Sequence, residues 1–194
     1  MSVYIKGAIA AVIVIAGILA WYFSKEAELP VNVAPAEFKM IDKMEKEGMP
    51  EWSLPKLDGQ MVKNTDLKGK IVILNFWASW CNPCVEEFPS MLKLVEHFKG
   101  EVVVLAVSTD DEQKDIETFT KAFGLPKPNF EVLWDKDKKI RDMHMVEKIP
   151  ESFLVNKDGK LIRKVLGVEN WASKEALSYF QDLVEGKDPN RPHN

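Results

Sequence analysis

The stretch "KIVILNFWASWCNPCVEEFPSMLKLVEHFKGEVVVLAVST", residues 70–109, decides the fold. It opens with "KIVILNFWA" (70–78), an unbroken apolar run rich in β-branched residues, the pattern of a strand covered on both faces. "NPCVEEFPSMLKLVEHFKG" follows, with Val85, Phe88, Leu92, Val95 and Phe98 recurring at spacings of three and four, and Gly100 closes it. That spacing predicts a helix. "EVVVLAVST" (101–109) reads as a second buried strand, so the stretch is a βαβ unit. Both cysteines of the chain, Cys81 and Cys84, fall where the first strand turns into the helix. A Cys-x-x-Cys pair in that position is a redox signature.

Beyond this unit, "DEQKDIETFTKAFG" predicts a second helix with Ile116, Phe119 and Phe123 on one face. "FEVLWD" and "ESFLVN" read as strands, and "KDG" (157–159) as the hairpin turn into "KLIRKVLG". "SKEALSYFQDLVEG" is a closing helix that starts near Ser173. The order β-α-β-α-β-β-α, preceded by the short segment "EWSLPKLDGQMV", predicts an α/β domain with a central mixed β-sheet flanked by helices on both faces.

The amino-terminal end has a different character. From Gly7 to Phe23 there is no charged residue, Lys6 stands ahead of the run, and Trp21 and Tyr22 sit at its far edge. An apolar stretch of roughly 17–25 residues is long enough to cross a bilayer. The leading positive charge keeps the N-terminus in the cytoplasm, and the aromatic pair suits an interface. A cleaved signal peptide is the nearest alternative, but its small-x-small site would be "ILA" followed by three bulky aromatics. A buried helix is a further one. The expected organisation is therefore a cytoplasmic N-terminus (1–6), a transmembrane signal-anchor (7–23), a linker (24–48), a catalytic domain (49–186) and a disordered tail (187–194). Within the linker, Phe38, Met40, Ile41 and Met44 allow a short amphipathic helix, although a plain spacer is the first expectation.

Composition excludes several classes. A formal net charge of −4 gives no electrostatic reason for a nucleic-acid partner. Two cysteines are too few for a disulfide-stapled scaffold. Zinc would need two ligands beyond the cysteines, and none of His97, His144 and His193 stands at metal-motif spacing. Disulfide exchange, by contrast, needs only an attacking thiolate and a second thiol that resolves the mixed disulfide. Cys81 at the helix N-terminus meets unpaired N–H groups that favour the thiolate. Cys84, one turn further in, is the more buried resolving thiol. Pro83 falls in the first helical turn, where a missing N–H costs least, and Pro89 sits mid-helix, where it kinks the chain. Glu87 shares the Cys84 face, and a carboxyl buried there has a raised pKa and can pass protons to the thiols.

From Met49 to about Gly186 the chain resembles the membrane-anchored thioredoxins of the TlpA/ResA/CcmG group. The resemblance is carried by "LPKLDGQMVKNTDLKGK", "NFWASWCNPCVEEFP", "AVSTDDE", "IPESFLVNKDGK" and "GVENWAS". It implies a thioredoxin-like fold and a thiol-disulfide oxidoreductase with no cofactor beyond the redox-active Cys81–Cys84 pair. Ordinary thioredoxins carry an aspartate six residues before the first cysteine; here Asn75 stands there, and the resemblance hands the acid–base role to Glu87. It also implies a cis peptide at Pro150, with the backbone of Ile149 pairing a substrate strand and Trp80 bordering the contact surface. Asn82 and Pro83, between the cysteines, tune the redox potential. Glu151-Ser152 after the proline is closer to the Glu-Thr of CcmG-like chains than to the Thr-Thr of ResA-like ones. Glu151 is expected to project into the site, or else to be a strand-edge charge.

The resulting expectation is a single-pass protein of a bacterial inner membrane whose domain faces the periplasm. It would reduce disulfides in protein clients such as apocytochrome c and be recharged by a membrane electron donor. Two other readings stand beside it. One is a copper metallochaperone using the cysteine pair and His144, which Met143 and Met145 flank. The other is a thiol peroxidase, which requires an arginine beside the reactive cysteine.

Overall fold

The computed structural model describes residues 15–21 and 36–187. The chain divides into two units, Met1–Lys39 and Met40–Asn194. In the first, residues 15–21 are helical, with Ile15, Ile18, Leu19 and Trp21 exposed. Among the described residues no helix is long and apolar enough to cross a membrane. The expected span 7–23 lies mostly outside them, as does the tail from residue 188.

Helix α1 (Ala36–Glu47) runs across the boundary at Lys39, and the second unit continues into the hairpin of β1 (Ser53–Pro55) and β2 (Met61–Lys63). A 3-10 turn over Asn64–Leu67 then feeds β3 (Ile71–Trp77), α2 (Asn82–Phe98) and β4 (Val102–Ser108). After α3 (Gln113–Ala122) come β5 (Phe130–Trp134), the short α4 (Lys139–Met143), β6 (Glu151–Val155), β7 (Leu161–Leu166) and α5 (Lys174–Val184). The main sheet has the order β5-β4-β3-β6-β7. β3 runs parallel to β4 and antiparallel to β6, so the sheet is mixed. All seven residues of β3 and of β4 are buried, as expected of central strands without a polar face.

Alternation along β3 divides the interior into two cores. Ile71, Ile73 and Trp77 enter one, where they meet Phe88, Met91, Leu94, Ile116 and Phe180 from α2, α3 and α5. Val72, Leu74 and Phe76 enter the other, with Met44, Trp52, Leu54, Ile140 and Phe153. In the first core the rings of Trp77, Phe88 and Phe119 pack with centroids 4.5–5.0 Å apart. Such aromatic pairs add about 0.5–1.5 kcal/mol each beyond the burial itself.

Three expectations change. The boundary at Met49 moves upstream, because the linker segment ends in a helix and Met44, 2% exposed, is part of a core. The buried stripe of α2 is Cys84, Glu87, Phe88, Met91, Leu94, Val95 and Phe98, whereas Val85 and Leu92 are half-buried at its border. A stripe read from hydrophobicity alone is drawn toward every apolar residue, border positions included, whereas Glu87 falls on the buried face where its helical offset puts it. Helix α4 was not expected; five residues are too few for periodicity to register.

Candidate active site

β3 ends at Trp77, which is fully buried, and Ala78-Ser79-Trp80 turn the chain into α2. Cys81 is the N-cap of α2: its sulfur accepts a hydrogen bond from the Cys84 N–H at 3.2 Å. The two sulfurs are bonded, with Cα atoms 5.3 Å apart. When the pair is reduced, that N–H and the helix dipole favour the Cys81 thiolate. Cys81 is 6% exposed and Cys84 0%, so only the first offers any surface to an incoming sulfur. Asn82 and Pro83 are exposed between them, and Trp80, 69% exposed, borders the pair in sequence.

One turn beyond Cys84, Glu87 is 1% exposed. Its Oε1 accepts from the Asn75 side-chain amide at 2.7 Å, and its Oε2 from the Glu169 N–H at 3.2 Å and the Trp171 indole at 3.4 Å. Burial raises its pKa to about 7, and those three hydrogen bonds pull the other way without overcoming it. Asn75 also donates to the Ser152 hydroxyl at 2.9 Å, tying β3 to β6 beneath the helix. Ser90 of α2 holds the 169–171 segment by accepting from the Trp171 N–H at 3.2 Å. A carboxyl that titrates near neutrality, one helical turn from a dithiol, can accept or supply the proton that thiol chemistry moves.

The Ile149–Pro150 peptide is cis. The β3–β6 register pairs Phe76 with Glu151, and one further step places Pro150 beside Trp77, at the sheet end that carries the cysteine loop. Ile149 is half-buried, and the Pro150 carbonyl accepts from the Gly167 N–H at 2.9 Å.

Glu151 does not join this group. It is 3% exposed on β6, and strand alternation turns it to the side of Phe76, opposite Asn75 and Glu87. There it forms an ion pair with Lys164 at 2.9 Å. It is neither a projection into the cysteine site nor a strand-edge charge, because β6 lies between β3 and β7. His144 lies on that second side too, fully buried, its ring centroid 5.5 Å from that of Phe76 and 5.3 Å from that of Phe153. The sheet therefore separates it from Cys81 and Cys84, against the copper arrangement. Among the described residues no three His, Cys, Asp or Glu side chains converge as a metal site. Of the described arginines, Arg141 binds the Val146 and Glu147 carbonyls and Arg163 stacks on Tyr179, so neither serves the peroxidase arrangement.

Sequence reading missed Ser152, Glu169 and Trp171 as the partners of Asn75 and Glu87. "GVENWAS" marked the segment, yet no local pattern shows that residues more than 80 positions away cover Glu87.

Residues 46–164 match the AhpC/TSA family. The chain is 38% identical over 119 residues to the thiol-disulfide oxidoreductase ResA of Bacillus subtilis, covering 61% of this chain and 65% of that one. It is 37% identical over 137 residues to ResA of Bacillus cereus, covering 70% and 76%. Among solved structures, a thiol:disulfide interchange protein DsbE of Chlorobium tepidum superposes with a TM-score of 0.63 at 29% identity, over 71% of this chain and 95% of that one. StoA of Bacillus subtilis does so with a TM-score of 0.54 at 26% identity, over 62% and 90%. The chain thus belongs to the AhpC/TSA family, as a thioredoxin-like thiol-disulfide oxidoreductase similar to ResA.

Proposed function

We propose that this oxidoreductase is held at the outer face of a bacterial inner membrane by residues 7–23 and reduces disulfides in periplasmic protein clients, apocytochrome c among them. The observation that carries the reductive chemistry is the pairing of a helix-capping Cys81 with Glu87, a buried carboxyl whose pKa lies at about 7. The reduced protein delivers two electrons. The Cys81 thiolate attacks one sulfur of the client disulfide, forming a mixed disulfide and expelling the other sulfur as a thiolate. The Cys84 thiol gives up its proton, with Glu87 as the acceptor, and attacks Cys81. The Cys81–Cys84 bond closes, and the second client sulfur leaves and takes up a proton. Trp80, Ile149 and cis-Pro150 form the surface against which the client strand lies, and Asn82 and Pro83 adjust the potential. A membrane dithiol carrier would return the two electrons.

The support for the client and the tether is the resemblance to membrane-anchored thioredoxins and the uncharged run at 7–23. The first test is the reduction potential of Cys81–Cys84 in a thiol redox buffer, read by tryptophan fluorescence. A value near about −270 mV supports a reductant, whereas one near about −120 mV makes the protein a disulfide donor and reverses the electron flow. The client is tested with an oxidised Cys-x-x-Cys-His peptide. Cys81→Ser must abolish its reduction, and Cys84→Ser must accumulate the mixed disulfide.

A further inference from the structure

The turn that presents Cys81 has an anchor outside the motif. Asp110 follows β4, is 1% exposed, and directs its carboxylate at Ser79, two residues before Cys81. The Ser79 N–H donates to it at 3.0 Å and the Ser79 hydroxyl at 2.6 Å. The Ser108 hydroxyl supplies a third hydrogen bond at 2.7 Å. The backbone of the same residue is held from the far side: its carbonyl accepts from the Trp134 indole at 2.9 Å and the Lys138 ammonium at 3.0 Å. Next to it, Thr109 donates to the Trp77 carbonyl through both its N–H and its hydroxyl. Two consecutive residues after β4, Thr109 and Asp110, therefore grip the 77–79 segment at Trp77 and Ser79. A buried carboxylate is tolerated only where several donors converge on it, and the donors that converge here belong mainly to the loop that sets the sulfur's position.

We propose that Asp110 is the positioning residue of the redox loop. By clamping Ser79 it holds Cys81 at the N-cap of α2, where the Cys84 N–H meets its sulfur. The inference rests on thiol-disulfide exchange at Cys81 and adds a residue that touches neither sulfur nor client. Exchange requires the attacking sulfur, the central sulfur and the leaving sulfur to line up, and small misplacements of a reacting group slow such steps strongly.

The test uses the detergent-solubilised full chain with Cys84→Ser, so that Cys81 alone reacts, and oxidised glutathione as the probe. Asp110→Ala is expected to slow mixed-disulfide formation about tenfold and to move the pH midpoint of Cys81 alkylation by iodoacetamide upward, as the sulfur leaves the helix N-terminus. Asp110→Asn retains an acceptor for the Ser79 N–H while removing the charge; its rate is expected within about threefold of the parent, with no upward movement of the midpoint. Circular dichroism establishes which variants are folded. If Asp110→Ala fails to fold, Ser79→Ala removes only the 2.6 Å hydroxyl contact and is expected to show the same slowing in milder form. A folded Asp110→Ala with the parent's rate and midpoint overturns the proposal. So does an Asn variant as slow as the Ala variant, or an unaffected Ser79→Ala. A parent that forms no mixed disulfide at all sinks the exchange reading itself, and the proposal with it.

Discussion

The two faces of the main sheet each bury a titratable side chain and hold it uncharged over opposite halves of the same problem. On the α2 face, Glu87 is surrounded by neutral N–H donors and its pKa rises to about 7. On the other face, His144 is wedged between Phe76 and Phe153, and burial lowers its pKa to about 4, with the nearby Lys164 charge adding to the fall. The Ile140 carbonyl, 2.7 Å from Nδ1, opposes that shift without reversing it. Only one of the two lies on the dithiol's side. A perturbed pKa alone thus does not mark a catalytic group; the face of the strand decides which shift is available to chemistry.

The faces also pull on stability in opposite directions. Native Glu87 keeps its proton up to about pH 7, the unfolded chain only to about 4.5, so the native state binds more protons in between and stability falls as pH rises through that window. Native His144 refuses a proton until about pH 4, the unfolded chain accepts one near 6.5, so stability rises with pH over that range. Each contribution amounts to about 3 kcal/mol across its window, and between about pH 4.5 and 6.5 they offset each other.

The ion pair on the His144 side of the sheet is the most costly to disrupt. Lys164→Met removes the cation 2.9 Å from the buried Glu151 and is expected to cost about 3–5 kcal/mol in urea unfolding at neutral pH. The same change relieves His144 of a neighbouring charge, so its pKa should move up toward the ordinary value, visible in the imidazole NMR titration. An unchanged titration would show that burial alone sets His144. Next come the two offsetting groups. Glu87→Gln leaves the His144 contribution unopposed, so urea midpoints should climb between about pH 4.5 and 6.5, by about 3 kcal/mol in all. His144→Leu should give the reverse slope. Parallel profiles for wild type and both variants would sink the account. Glu87→Gln should in addition flatten the pH dependence of exchange near neutrality, whereas His144→Leu should leave its shape intact. The smallest effect concerns Trp80: at 69% exposure, Trp80→Ala should change stability by no more than about 0.5 kcal/mol. It should weaken client binding instead, seen as a raised KM with kcat retained.

Much of this molecule was legible because the relevant signals are local. The runs at 70–78 and 101–109 are strands since every position is covered, and the Cys-x-x-Cys spacing set Cys81 at a cap with Cys84 one turn deeper. Ser173 begins α5 as its N-cap, accepting from the Ala176 N–H at 3.0 Å. "KDG" closes the β6–β7 hairpin, as turn chemistry requires. Glu87 was found from its helical offset, and Asn75 from its place six residues before Cys81. The orientation of Glu151 was not found. A strand residue can be assigned to a face only when register and covering layer are known, and a glutamate gives no hint that a lysine of the neighbouring strand shares its face.

The chain itself therefore determined the βαβ frame, the dithiol and its two inequivalent sulfurs, and the carboxyl one turn away, because all are fixed by neighbours within a few residues. Which groups cover and orient these side chains followed from the packing of segments far apart in the chain. The Glu87 pKa depends on a cover supplied by Glu169 and Trp171, the Cys81 turn on an aspartate 31 residues from Ser79, and the roles of Glu151 and His144 on which side of β6 and α4 meets the second core. Hydrogen bonds of that range are set by how layers pack, and desolvation exists only once they have packed.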